Sequence, residues 1–140
     1  MDMLTFELQA KRLNERASRV SAKEVSFEID SGVNPRADAF SPMELLLAAQ
    51  AACFLKGIER TSPTLNFEFS SVDITLTAKR PINEARIAEI RYEIRIGTQE
   101  SDERLELLHK NLKKHGTIFN TISAGTNLIG ELVRSADSSD

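Results

Sequence analysis

Cys53 is the only cysteine among the 140 residues of the chain, and it lies in a stretch rich in leucine and alanine. A thiol acts as a nucleophile and can be oxidised reversibly when a nearby cation stabilises its thiolate. Without such a cation, a cysteine in apolar surroundings behaves as a small hydrophobic side chain. The sequence leaves both interpretations of Cys53 open, a reactive thiol and a structural one.

Other kinds of site find less support. His109 and His115 are six residues apart, whereas helical zinc motifs place histidines at i and i+4. We therefore predict no metal and no cofactor. The net charge of −3 argues against a nucleic-acid partner. A lone cysteine and an N-terminal segment, MDMLTFELQAKR, without a long apolar core predict a cytoplasmic protein with no membrane association.

The stretch that carries the cysteine, residues 41–60 (SPMELLLAAQAACFLKGIER), predicts a central helix. Ser41 is suited to the N-cap, Pro42 to the first helical position, and Glu44 follows the cap by three residues. This spacing is typical of a capping box with a proline at the first position. The helix therefore has a well-defined start.

This predicted helix has no solvent-facing stripe. Between Leu45 and Leu55 only Gln50 is polar, and a helix that is apolar all round is normally buried on every side. The run is shorter than the roughly 20 residues that a membrane span needs. Residues 61–64, with the sequence TSPT, predict its end.

The remaining periodicities predict strands before the helix, and strands and helices after it. Alternation of apolar and polar residues indicates half-buried strands, whereas a 3.6-residue period with capping residues indicates helices. The predicted strands are residues 4–10, 17–21, 25–29, 72–78, 90–96 and 127–134, of which 72–78 and 90–96 form a β-hairpin. The predicted helices are 101–115 and 117–123, and residues 136–140 are a predicted polar tail.

This order of elements predicts a single α+β domain over residues 1–140. One sheet covers only one face of the central helix and leaves its other apolar face in water, which monomers rarely tolerate. We therefore expect a homodimer in which a second subunit covers the open face.

The sequence SPMELLLAAQAACF, residues 41–54, resembles the OsmC/Ohr family of osmotically inducible and organic hydroperoxide resistance proteins. In that family a proline and a carboxylate precede a Leu/Ala-rich run that ends in a reactive cysteine. The stretch HGTIFNTI, residues 115–122, is similar to the place where the family carries a second cysteine. The resemblance implies an OsmC-like fold, an intertwined homodimer in which two swapped subunits build sheets around buried central helices.

The resemblance also implies a reaction, the reduction of organic hydroperoxides. Cys53 matches the cysteine that attacks the peroxide and becomes a sulfenic acid, whereas the second cysteine position falls on Gly116. With no other thiol in the chain, resolution inside one molecule is excluded. A one-cysteine reductase of this kind needs an external thiol as its partner.

In the family a glutamate and an arginine keep the thiol ionised and positioned for attack. The carboxylate is expected at position 43, but Met43 stands there and Glu44 follows it. Glu44 and Cys53 are nine residues apart, so at about 100° per residue they point to opposite sides of a helix. Capping alone also explains Glu44. Arg36 is the first choice for the arginine and Arg19 the second, and an ordinary surface role stays open for both.

Two alternatives remain. One is a catalytically degenerate family member, a dimer that binds a small apolar ligand or is structural. The other is a hot-dog domain, a thioesterase fold that also wraps a sheet around a helix. The predicted helix 101–115 interrupts the run of strands that a hot-dog domain normally has, and therefore favours the OsmC-like fold.

Overall fold

The predicted α+β order of elements is found in the computed structural model of the chain. The structure describes residues 1–135, so the predicted tail 136–140 lies outside the described residues. The elements in chain order are β1 (Gln9–Arg12), β2 (Ala17–Ala22), β3 (Val25–Asp30), α1 (Pro42–Leu65), β4 (Ser71–Lys79), β5 (Glu89–Gly97), α2 (Asp102–His115), α3 (Thr117–Ser123) and β6 (Asn127–Arg134).

The chain forms two compact units, Met1–Leu46 and Leu47–Asp140. The first contains an antiparallel sheet of order β1-β2-β3. The second contains a sheet of order β4-β5-β6, in which β4 and β5 are antiparallel, as the predicted hairpin requires, and β6 runs parallel to β5. The single domain over residues 1–140 stays a prediction.

The first strand is shorter than predicted and lies later in the chain. Strand β1 begins at Gln9, and residues 4–8 of the predicted strand have no regular structure. The register explains the difference, since Gln9 pairs with Ser21 and β2 ends one residue later at Ala22. Residues before position 8 therefore have no neighbouring strand within this unit. Their apolar side chains are left exposed, Leu4 by 87% and Phe6 by 85%.

The central helix extends beyond its predicted end. Helix α1 ends at Leu65, so the stop predicted at residues 61–64 is wrong, and Pro63 lies inside the helix. A proline removes one backbone hydrogen bond and crowds the preceding turn. Hydrogen bonds at the end of the helix offset this penalty, and the local sequence pattern does not predict them. No helix of the described residues is long and apolar enough to span a membrane.

Two features stabilise the end of α1 after Leu65. Asn66 has a positive φ of 52°, and the N–H groups of Asn66 and Phe67 donate to carbonyls of the last turn at 3.3 and 2.9 Å. This pattern is a Schellman motif. The guanidinium of Arg104, in α2, also donates to the carbonyls of Leu65 and Asn66. A side chain distant in sequence therefore caps the helix.

The other predicted helices are confirmed. Helix α2 begins after Ser101, whose hydroxyl accepts a hydrogen bond from the N–H of Arg104 at 3.3 Å. Acidic residues occupy its first turn and basic residues its last, which is the arrangement that complements the helix dipole. Helix α3 follows directly after Gly116.

The core of the second unit is built on β5. Its inward side chains, which alternate along the strand, are at most 5% exposed and pack with apolar residues of α1, α2 and α3. Tyr92 pairs with Gly130 of β6, and a Cβ atom at position 130 would lie 2.3 Å from the carbonyl oxygen and 2.4 Å from the ring Cγ of Tyr92. Strand β6 therefore needs a glycine here for steric reasons.

Replacing this glycine tests the close approach. We expect Gly130→Ala to lower the free energy of unfolding by about 3 kcal/mol, because the new methyl group overlaps the backbone and ring of Tyr92. Urea unfolding followed by circular dichroism measures the change. Gly125→Ala is the matched control, since a Cβ atom there meets no atom within 4 Å; its effect should stay within about 0.5 kcal/mol. Equal stability of the two variants would contradict the packing described here.

Candidate active site around Cys53

The thiol of Cys53 lies over the junction between α2 and α3. Cys53 is partly buried in α1, and a Cβ atom at Gly116 would lie 3.1 Å from its Sγ. Gly116 is the residue between the two helices. The two positions that the sequence comparison paired, 53 and 116, are therefore adjacent in the structure.

Gly116 is confined by its neighbours. A Cβ atom at this position would also lie 2.8 Å from the carbonyl oxygen of Leu112 and 3.1 Å from the Cβ of Phe119. The backbone angles of Gly116, φ −82° and ψ 112°, are open to any residue. The constraint is steric, and any side chain here has to displace the end of α2 by a few tenths of an ångström.

The residue that follows the thiol in α1 belongs to an aromatic cluster. Phe54, the next residue of α1, is 1% exposed, and its ring centroid lies 4.6 Å from that of Tyr92 and 6.0 Å from that of Phe119. Such separations are those of interacting aromatic pairs. The aromatic cluster, Phe54, Tyr92 and Phe119, holds α1 against β5 and α3 and thereby fixes the position of the neighbouring Cys53.

A neutral hydrogen bond extends this cluster to α2. The hydroxyl of Tyr92 and Nε2 of His109 are 2.7 Å apart. Burial, with a smaller contribution from the positive charge of Lys113, lowers the pKa of His109 to about 4, and burial raises the pKa of Tyr92 to about 12. Both groups are therefore uncharged at neutral pH, and the bond joins β5 to α2 without an ion pair.

Gln50 is the residue whose environment the sequence did not predict. It is 0% exposed, although it is the only polar residue of the run from Leu45 to Leu55. Neither Oε1 nor Nε2 has a hydrogen-bond partner among the described residues. The exposed side of this part of α1 is instead formed by small and apolar residues, namely Ala48, Ala52 and Leu55. Its position as the single polar residue of an apolar run marks Gln50 as unusual. The run does not indicate whether the side chain faces the core or the solvent.

Arg36, the predicted activating arginine, lies in the first unit and is held by two carboxylates. Its guanidinium donates to Asp38 at 2.9 and 3.1 Å and to Glu28 at 2.8 Å. Asp38 and then Glu28 raise the pKa of Arg36 above its usual value, and Arg36 lowers that of Asp38. Asp30 fixes the same loop, since its carboxylate accepts the N–H groups of Gly32 and Arg36 at 3.2 and 3.0 Å.

Glu44, the predicted carboxylate, forms the capping box. Its Oε1 accepts the backbone N–H of Ser41 at 2.8 Å and the hydroxyl of Ser41 at 2.5 Å. The hydroxyl and then the backbone N–H of Ser41 lower the pKa of Glu44. The nine-residue spacing on the continuous helix α1 places Glu44 and Cys53 on opposite sides. Arg36 and Glu44 thus have local partners in the first unit, whereas Cys53 belongs to the second. The alternative arginine, Arg19, donates to Ser26 at 3.2 Å.

Two open depressions on the second unit lie away from the thiol. The larger, about 1000 Å³, is lined by polar residues at one end of the sheet, including Ser70, Arg95 and Thr98. The smaller, about 560 Å³, lies along α2 and β6. Neither is lined by Cys53. Within the described residues, no cluster of three or more His, Cys, Asp or Glu side chains could hold a metal ion.

Comparison with known structures finds the same fold repeatedly. The OsmC-like protein of Mycoplasma pneumoniae has a TM-score of 0.83 and 20% identity, over 95% of this chain and 99% of that one. The organic hydroperoxide resistance protein of Elizabethkingia anophelis has a TM-score of 0.74 and 16% identity, over 96% and 97%. The organic hydroperoxide resistance protein OhrB of Bacillus subtilis has a TM-score of 0.65 and 18% identity, over 92% and 98%.

The sequence itself carries the family pattern. No curated protein sequence matches the chain, but the family model described as OsmC-like protein matches residues 34–129. This range contains α1, Cys53, Gly116 and the sheet of the second unit up to the start of β6. The fold and the family match agree, and the chain therefore belongs to the OsmC-like protein family.

Proposed function

We propose that the protein is a one-cysteine reductase of organic hydroperoxides, with Cys53 as the nucleophile. The observation that carries the proposal is the position of the thiol, 3.1 Å from the Cβ site of Gly116, where the family resemblance expects the second cysteine. The two relatives described as organic hydroperoxide resistance proteins support the same class of reaction.

The reaction balances as a two-electron transfer. The thiolate of Cys53 attacks the terminal oxygen of R–O–O–H, and an S–O bond forms as the O–O bond breaks. Sulfur is oxidised to a sulfenic acid, and the alkoxide takes up a proton and leaves as an alcohol. An external thiol then forms a mixed disulfide with Cys53 and releases water, and a second thiol reduces that disulfide. A reducing compartment such as the cytoplasm supplies these thiols.

Arg36 and Glu44 favour a second candidate, the degenerate family member that binds a small apolar ligand or is structural. Both side chains are engaged by partners of their own unit, Arg36 by Glu28 and Asp38 and Glu44 by Ser41. In the reductase, one of them has to leave these partners to stabilise the thiolate. The same peroxide assay separates the two candidates.

We also propose that the protein acts as a homodimer. In the first unit, apolar side chains before and within the sheet are exposed, among them Leu4, Phe6 and Phe27 at 87%, 85% and 47%. The stripe Ala48, Ala52 and Leu55 on α1 is exposed as well. Apolar surface of this kind is typical of an interface between subunits, and a second copy of the chain would cover it.

The first test concerns the thiol. Reduced protein is titrated with cumene hydroperoxide, and sulfenic acid is trapped with dimedone and located by mass spectrometry. We expect one adduct at Cys53 and consumption of the peroxide when a dithiol is added, because the dithiol regenerates the thiol. Cys53→Ser should give neither. Wild-type protein that forms no adduct and shows no turnover would leave the ligand-binding or structural role as the better conclusion.

The second test restores the missing thiol. In a disulfide, a Cβ atom lies about 3 Å from the sulfur of the other cysteine, so Gly116→Cys should form a disulfide with Cys53 on mild oxidation. Loss of both free thiols and a mass decrease of about two hydrogens detect it. Thr117→Cys, one residue further and exposed, is the matched control and should keep its thiols. If Gly116→Cys folds and also keeps both thiols, the thiol of Cys53 does not face this junction.

The third test concerns assembly. Analytical ultracentrifugation at micromolar concentration should show a dimer, and Phe6→Glu should shift it toward the monomer because a charge then enters the apolar contact. Thr5→Glu adds the same charge at the neighbouring residue and should have the smaller effect. A wild-type monomer at this concentration would refute the proposed dimer.

A further inference from the structure

Gln50 carries a buried amide that the protein itself does not satisfy. The residue is 0% exposed, and neither Oε1 nor Nε2 has a hydrogen-bond partner among the described residues. Buried polar groups are almost always hydrogen-bonded, and one left without a partner destabilises the folded state. An apolar side chain of similar shape would fill the same space without this penalty. The amide is therefore suited to a ligand rather than to packing.

The amide lies on the same side of α1 as the thiol. Gln50 precedes Cys53 by three residues, and side chains at i and i+3 of a helix are neighbours, with Cβ atoms about 5–6 Å apart. Side chains of a helix also lean toward its N-terminus, so the side chain of Cys53 leans toward the turn that carries Gln50. Gln50 and Cys53 are therefore neighbours on one face of α1.

We propose, on the basis of the function proposed above, that the Gln50 amide binds the hydroperoxide group of the substrate beside Cys53. A hydroperoxide has one O–H donor and two acceptor oxygens, and an amide offers both an acceptor and a donor. Oε1 accepts the O–H, and Nε2 donates to the oxygen that bears the organic substituent. A carboxylate would offer only acceptors and an ammonium group only donors.

This arrangement also acts during the reaction. When the thiolate attacks the terminal oxygen, negative charge develops on the inner oxygen as the O–O bond breaks. The Nε2–H group donates to that oxygen, and a donor held in a site without water stabilises such a charge more than it does in solution. The alkoxide takes its proton from solvent as it leaves the site, so Gln50 positions the peroxide and itself neither gains nor loses a proton.

Two rates measured on the same protein test this role. The second-order rate constant of Cys53 oxidation by cumene hydroperoxide is compared with that of its alkylation by N-ethylmaleimide, which needs the thiol and makes no use of the amide. We expect Gln50→Met to lower the peroxide rate at least about tenfold, with the alkylation rate unchanged within about twofold. Its thermal stability should be equal or higher, since the variant removes an unsatisfied buried amide.

Further variants separate this role from a structural one. Gln50→Leu also lacks the amide, but its side chain differs in shape from methionine. We expect it to lower the rate constant of peroxide oxidation by a similar factor. Leu47→Met places the same methionine side chain one turn earlier and should keep both rates. An unchanged peroxide rate in Gln50→Met, or a parallel fall of both rates, overturns the proposal for Gln50 alone. Wild-type protein that reacts with the maleimide but never with the peroxide overturns the proposed function, and this inference with it.

Discussion

The ring of Tyr92 is the point at which the elements of the second unit meet. Phe54 of α1 packs on it with a centroid distance of 4.6 Å, and Phe119 of α3 contacts it edge-on. His109 of α2 shares a hydrogen bond with its hydroxyl, and Gly130 of β6 leaves room for its ring and backbone. Cys53 directly precedes Phe54 in α1. The position of its thiol therefore depends on how Phe54 packs against Tyr92.

Local patterns predicted the elements that local interactions determine. The hairpin β4–β5, the helix α2 and its capping by Ser101 all follow from periodicity and capping residues that are near one another in sequence. The length of β1 depends on where β2 ends, and the end of α1 depends on Arg104, which lies 39 residues beyond Leu65. These are contacts between distant parts of the chain, which is why the predicted end of α1 at residues 61–64 is wrong. The parallel pairing of β6 with β5 could not be predicted from local patterns for the same reason.

The candidate site shows the same division. Cys53 and the pairing of its position with Gly116 could be found from sequence, because a motif and the order of elements identify both. The contact of Glu44 with Ser41 follows from their three-residue spacing. The partners of Arg36 could not be identified from sequence, since a charged residue in a loop has several acceptable partners. Gln50 was visible as an exception to an apolar run, but its burial depends on which face of α1 the rest of the unit covers. Periodicity cannot choose between faces when nearly every residue is apolar.

The neutrality of the Tyr92–His109 bond has a consequence for the response of the protein to ionic strength. Mobile ions screen interactions between charges, but with the pKa of His109 lowered to about 4 this bond has no net charge to screen. The loop around Arg36 is held instead by ion pairs with Glu28 and Asp38, which concentrated salt weakens. We therefore expect concentrated salt to leave the Tyr92–His109 hydrogen bond unchanged and to weaken the ion pairs that hold the Arg36 loop in the first unit.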